Sequence, residues 1–314
     1  MKRAAGRATR AIPVFTESES RSIYLFLRVI LRETASHFRW KCSRRVIRLL
    51  LAVTVAMLAL VPAEAAPMRV VSINVCTDQL AMLLAGKRQL LSVSYLSRDP
   101  QLSFLAAQAA RMPVNHGEAE EVFALKPDLV LAGTFSSRAT VGMLRRLGLH
   151  VEEFPPARSF DDIAAHLRRM GRLLGREQEA EALVASMQAK LAAIHKPRTP
   201  RTVALYYANS YTAGRGTLID DAVRRAGLSN LADRAGLAGS AVLPLEMLVM
   251  EKPDILVLGP RRGAPALAFA DFDHPALRAL ERKAKTVTLP DNLTVCGGPF
   301  SVAAVTMLAG AVHD

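Results

Sequence analysis

The chain has 314 residues, enough for about two domains. Its composition, 51% hydrophobic and 22% charged, excludes a disordered chain and a polytopic membrane protein. The formal charge of +13 invites a nucleic-acid reading, but residues 1–65 carry 12 Lys and Arg against 4 Asp and Glu, which leaves +5 for residues 66–314. So mildly basic a body offers no phosphate-tracking surface, and no nucleic-acid partner is expected.

The uncharged run Leu49 to Val61 is too short for a spanning helix, which needs about 20 residues. Arg44, Arg45 and Arg48 precede it and Pro62-Ala63-Glu64-Ala65 follows. A basic flank, a short apolar core and a small-x-small site are the parts of a secretory signal peptide, cleaved here near Ala65. Ser43 to Arg48 is also similar to a twin-arginine export motif, so either export route is open. A soluble, exported protein of the periplasm is expected.

From Arg69 onward short apolar runs alternate with helical patterns. Strands are predicted at 70–73, 90–95, 128–132 and 151–154, with helices at 78–84, 122–125 and 140–147. Ser159 to Ile194 carries apolar residues in steps of three and four, which predicts one helix of roughly 50 Å. Gly171 and Gly175 offer kinks, and two shorter helices are the alternative. After Pro200 the alternation resumes, with strands at 203–207, 255–258 and 286–289 and helices at 218–226, 275–280 and 300–309. Strands alternating with helices imply parallel sheets.

One segment occurs twice. Lys126-Pro127-Asp128-Leu129 to Gly133 returns as Lys252-Pro253-Asp254-Ile255 to Gly259, and Glu120 and Glu246 each stand six residues before the Lys. In both copies Lys-Pro stops a helix, Asp opens a buried strand and Gly permits a sharp turn at its end. The reading is an α/β chain of two Rossmann-like lobes, residues 66–158 and 197–314, behind an N-terminal leader over 1–65. One long backbone helix over 159–196 joins them.

A signal peptide, two lobes each with Glu-(x)5-Lys-Pro-Asp and a long connecting helix resemble the helical-backbone periplasmic binding proteins, which serve ABC importers of ferric siderophores, haem and cobalamin. Ser72-Ile73-Asn74-Val75-Cys76-Thr77-Asp78-Gln79-Leu80 and Thr294-Val295-Cys296-Gly297-Gly298-Pro299-Phe300 are similar to a bacterial subgroup of iron-chelate or cobalamin binders. The resemblance implies a monomer with no resident cofactor. Its cargo is a small-molecule metal chelate, a ferric siderophore or a cobalamin-like corrinoid, and its partners are an ABC permease and the ATPase subunits. It also implies that Glu120 and Glu246 dock on the permease, although acidic residues favour helix N-termini by about 0.3–1 kcal/mol in any case.

Ligands of open α/β sheets bind beyond the carboxyl ends of strands, here in a cleft between the lobes. That rule nominates Asn74, Cys76, Thr77, Tyr95, Arg98, Thr134 and Phe135 from the first lobe. From the second it nominates Tyr207, Tyr211, Arg261, Cys296 and Phe300. Cys76 and Cys296 are the cysteines left after the leader. In an oxidising compartment they form a disulfide, stay as two thiols, or touch the cargo's metal.

The six His beyond the leader show no ligand spacing, so no metal site of the protein's own is expected. His166 and His195 fall on the connecting helix, away from a cleft. A haem receptor would draw an axial ligand from His116 or from a Tyr of 206–211. The remaining alternative is a secreted Cys-dependent enzyme, with Cys76 as nucleophile, His116 as base and Asp78 orienting it. No phosphate loop or nucleophile elbow accompanies them, and no reaction is expected.

Overall fold

The computed structural model describes residues 69–259 and 267–312. The apolar run 49–61, the cleavage site at Ala65, and Arg261 with Arg262 lie outside these residues. Residues 65–314 group as one compact unit.

The first lobe runs β1 (Val70–Ser72), α1 (Val75–Leu84), β2 (Leu90–Ser94), a 3-10 turn (Tyr95–Arg98), α2 (Ala106–Ala109), β3 (Val114–Asn115), α3 (Ala119–Ala124), β4 (Leu129–Gly133), α4 (Arg138–Arg146) and β5 (Val151–Phe154). Its five parallel strands lie in the order β3-β2-β1-β4-β5. Helices α5 (Phe160–Leu174) and α6 (Glu177–Ala192) follow.

The second lobe runs β6 (Thr202–Tyr206), β7 (Tyr211–Ala213), α7 (Leu218–Arg225), β8 (Ser229–Asn230), α8 (Leu231–Arg234), β9 (Ser240–Val242), α9 (Leu245–Glu251) and β10 (Ile255–Leu258). Helix α10 (Pro275–Glu281), β11 (Lys285–Thr288) and α11 (Val302–Gly310) complete it. Four strands are parallel in the order β11-β10-β6-β8, while β7 and β9 form a separate antiparallel ribbon. Matching β6, β8, β10 and β11 to β1, β2, β4 and β5 gives the same order in both lobes. The duplicated Lys-Pro-Asp segment therefore reports a duplicated sheet.

Alternation along the central strands shows why both sheets are apolar throughout. Leu129 and Leu131 of β4, and Val203 and Leu205 of β6, enter one core shared by the two lobes and lined by Ile163, Leu167 and Val305. Val130 and Ala132 face the other way, onto Val141 and Leu144 of α4. Ala204 and Tyr206 do the same in the second lobe, toward Leu231 and Leu277.

The single connecting helix expected over 159–196 is instead two shorter helices, the alternative reading, folded back on each other as a hairpin. Gly175 stops α5 in the left-handed region at φ 66°. Its N–H donates to the Arg172 carbonyl at 3.4 Å and the Arg176 N–H donates to the Gly171 carbonyl at 2.7 Å, a Schellman termination. The return path is antiparallel: Arg168 pairs with Glu181, a Cβ on Gly171 would lie 2.6 Å from Ala180 Cβ, and Phe160 shares a cavity with Met187 and Leu191. Only glycine at 171 permits that approach. At the other end Ser159 caps the helix, its Oγ accepting from the Asp162 N–H at 3.0 Å. The Phe160 N–H donates to Asp221 Oδ2 in α7, at 2.9 Å.

The repeat acts alike in both lobes. Asp128 Oδ2 accepts from the Arg69 N–H at 3.0 Å, and Asp254 Oδ2 accepts from the Thr202 N–H at 2.8 Å. Each Asp thereby fixes the start of the neighbouring central strand. Lys126 and Lys252 both adopt left-handed φ values, 47° and 43°, so the two copies leave their helices in the same backbone conformation.

Candidate functional site

The carboxyl ends of β1 and β4 form the switch point of the first sheet, where the strand order reverses. Asn74 caps α1 there, its Oδ1 accepting from the Cys76 N–H at 3.0 Å. A Cβ on Gly133 would meet Asn74 Nδ2 at 2.8 Å, and at the matching point of the second lobe a Cβ on Gly259 would meet Tyr207 Cδ1 at 2.7 Å. The chain does turn sharply after Gly133, whose carbonyl accepts from the Ser136 N–H at 2.9 Å, but neither glycine has a left-handed φ. The two glycines make room for the side chain that follows the adjacent strand.

A cavity of about 150 Å³ opens at this point, lined by Asn74, Cys76, Thr77, Thr134 and Phe135 together with Val295 and Gly297 of the second lobe. It is smaller than the roughly 300–1,000 Å³ that encloses a drug-sized ligand, so it has room for a side group and none for a macrocycle. Thr77 has its hydroxyl turned inward. It is buried, its Oγ1 donates to the Asn74 carbonyl at 3.0 Å and lies 2.8 Å from Ser72 Oγ. Phe135 is the contrary case, an aromatic side chain left 84% exposed.

The same cavity is lined by His166, which the sequence reading placed away from any cleft. The hairpin explains the correction: α5 starts directly after β5 and lays His166 edge-on against Phe154, with ring centroids 5.7 Å apart. Burial holds its imidazole below the usual histidine range, which favours the neutral form. Pro155 and Pro156, also missed, complete that wall.

Cys76 and Cys296 are joined by a disulfide across 220 residues, with an S–S separation of 2.10 Å. It ties the first turn of α1 to the loop after β11 and so links the lobes beside the cavity. Two further contacts cross the same boundary. Asn292 Nδ2 donates to the Pro100 carbonyl at 2.8 Å, and Phe300 stacks on Phe104 with centroids 4.8 Å apart and planes at 14°.

The other nominated residues lie around this region without joining its cavity. Tyr95 is about half exposed and sits 5.2 Å from the His116 ring. Arg98 is exposed, and its Nη2 donates to the Met112 carbonyl at 2.6 Å. Tyr207 is half-buried, burial raising its phenol, and Tyr211 is exposed at the start of β7. Phe300 belongs to the inter-lobe stack, and Arg261 lies outside the described residues.

The array required for Cys-dependent catalysis is not assembled. Cys76 is in the disulfide, and Glu121 is held by His116, whose backbone N–H donates to Oε2 at 2.7 Å and whose Nδ1 lies 2.9 Å from Oε1, contacts that keep the Glu121 carboxyl below its usual range. Asp78 is fully buried and turns to Ser94 and Ser97. Among the described residues no cluster of three His, Cys, Asp or Glu could hold a metal ion. Glu120 and Glu246 are exposed in the first turns of α3 and α9, equivalent places in the two lobes.

A family model of periplasmic binding proteins matches residues 70–293. The chain belongs to that family. A cobalamin-binding protein of Halobacterium salinarum is 32% identical over 208 residues, covering 62% of this chain and 55% of the relative. The chain thus spans about half the length of that archaeal protein. A vitamin B12-binding protein of Photorhabdus laumondii is 24% identical over 257 residues, covering 80% of this chain and 90% of the relative. Among solved structures, the periplasmic haem-binding protein HutB of Vibrio cholerae superposes with a TM-score of 0.66 over 79% of this chain and 99% of its own, at 19% identity. That likeness concerns the two-lobed fold.

Proposed function

We propose that the chain is the exported substrate-binding component of an ABC importer and that its cargo is a corrinoid. It would hold the cargo as a monomer between the lobes, deliver it to the permease with its ATPase subunits, and carry out no chemistry on it. Export near Ala65 follows from the leader pattern, and N-terminal sequencing of the mature protein is expected to start at Ala66.

The observation that carries the cargo assignment is the exposed Phe135 at the switch point. Phe135 lines the cavity and yet stays 84% exposed, so a bound molecule would be able to cover it. With Tyr95 and Tyr211 also exposed, the strand ends offer planar faces suited to a flat macrocycle. Of the described nominated residues only Arg98 is cationic, a poor match for a strongly anionic iron chelate. Two relatives named for cobalamin or vitamin B12 support the same choice. Glu120 and Glu246, at equivalent places on the two lobes, would meet cationic clusters on a two-fold permease.

The test is Phe135→Ala titrated with cyanocobalamin. Affinity is expected to fall at least tenfold, about 1.4 kcal/mol, with thermal stability unchanged. Unchanged affinity for cyanocobalamin would remove Phe135 from the contact surface and the support it gives to a corrinoid.

A further inference from the structure

After Thr77, helix α1 buries two further polar side chains, Asp78 at 0% exposure and Gln79 at 1%. A helix lying on a sheet ordinarily buries an apolar stripe and leaves polar residues to the other face. Both side chains are turned to one stretch of chain. Asp78 Oδ2 accepts from the Ser94 N–H at 3.0 Å and from Ser97 Oγ at 2.6 Å, and Gln79 Oε1 accepts from the Phe104 N–H at 2.8 Å. They hold the two ends of residues 94–104.

That stretch touches the second lobe, through the Pro100 carbonyl on Asn292 and through Phe104 on Phe300. It also carries Tyr95 and Arg98, and two residues before Asp78 the same helix turn carries the inter-lobe disulfide. We infer that Asp78, assisted by Gln79, is the positioning residue that sets the inter-lobe segment 94–104, and with it Tyr95, for the cargo. The inference rests on the binding-protein reading proposed above.

A need for simple rigidity does not explain the pair. The Tyr95–Arg98 turn already has a cap of its own, Ser94 Oγ accepting from the Leu96 N–H at 3.2 Å. Asp78 Oδ1 and Gln79 Nε2 are left buried with no hydrogen-bond partner among the described residues. Half-satisfied polar groups of this kind are worse for stability than an apolar pair. Departures of that sort concentrate at functional positions.

Burial also fixes the chemical form of the group. The donors bonded to Asp78 are the Ser94 N–H and the Ser97 hydroxyl, both on Oδ2. Arg98 and Asp99 of the adjoining segment, and Asp162, His166 and Arg169 of α5, contribute no charge interaction to it. Desolvation without a compensating cation pushes the carboxyl up to about 8, so at neutral pH the side chain is an uncharged acid. Asn has the shape of that acid and keeps one oxygen to accept both bonds. Ala keeps neither.

The test compares Asp78→Asn, Asp78→Ala and wild type by two readouts. Amide hydrogen exchange over residues 94–99 is measured without cargo between pH 6 and 9, and cyanocobalamin affinity is measured by calorimetry. Asp78→Ala is expected to speed exchange in that segment and weaken binding, each at least tenfold. Asp78→Asn at pH 7 should match wild type in both. Because an opened segment lets Asp78 release its proton, wild-type opening over residues 94–99, read as exchange relative to the intrinsic rate, should become more frequent as pH rises toward about 8, while that of Asp78→Asn stays level. Wild-type exchange and affinity in Asp78→Ala would overturn the inference, as would an Asp78→Asn protein as impaired as the Ala variant. If Asp78→Ala does not fold, the Asn variant and the wild-type pH profile decide. If wild type does not bind cyanocobalamin, the cargo assignment fails, and the exchange comparison alone judges the clamp.

Discussion

Replacing Cys296 by Ala removes the covalent tie between the lobes and leaves their cores intact. The bridge closes a loop of 220 residues. In the chain-entropy treatment a cross-link of that span restricts the unfolded ensemble by about 5 kcal/mol at 25 °C. For a unit the size of residues 65–314, each kcal/mol moves the unfolding midpoint by about 2–4 °C. The expected fall is therefore roughly 10–20 °C. Thermal unfolding of the mature protein should show it for Cys76→Ala, for Cys296→Ala and for the double variant alike, because the three lack the same bond. A reductant should shift wild type toward the variants and leave the double variant unmoved. A fall below about 3 °C in the double variant would refute the entropic reasoning. Two free thiols in unfolded, unreduced wild type would refute the bridge itself.

Three further outcomes follow from particular contacts. Gly171→Ala should destabilise by about 1–3 kcal/mol in urea unfolding, although Ala is the better helix former by about 1 kcal/mol, because its Cβ would meet Ala180 at 2.6 Å and the Arg176 carbonyl at 2.9 Å. Asp78 should make stability fall as pH rises: between its unfolded value of 3.8 and its folded value of about 8 only the folded state holds the proton. The slope is about 1.4 kcal/mol per pH unit at most, absent from Asp78→Asn, and read as the difference between the two urea midpoints at pH 5 and pH 7. Glu120→Ala with Glu246→Ala should abolish uptake by cells and leave cyanocobalamin affinity unchanged; surviving uptake would remove the docking role.

Much of this architecture is legible in the chain because its signals are local. Pro127 and Pro253 stop helices, Asp128 and Asp254 open strands, and the apolar runs between them can only be buried strands. Sequence order also puts Cys76 and Cys296 beyond carboxyl ends of strands, but it leaves a disulfide and two thiols equally open, and the tertiary fold joins them. The hairpin was harder to read, because the apolar period of α5 resumes in α6 and Gly175 alone marks the reversal. His166 was misplaced for that reason: its position depends on where α5 is anchored, which is a tertiary fact. The ribbon of Tyr211–Ala213 with Ser240–Val242 left no signal, its two short strands being separated by α7 and α8. The part played by Asp78 and Gln79 was hidden as well, since sequence order does not show that both face residues 94–104.

The central claim is that this chain binds a corrinoid and releases it unchanged. Calorimetric titration of the mature protein with cyanocobalamin, with haemin and a ferric hydroxamate in parallel, tests it directly. The account predicts saturation by one cyanocobalamin per chain, recovered intact after denaturation, and weaker or no binding of the other two. Saturation by haemin or the hydroxamate with no heat from cyanocobalamin would contradict it.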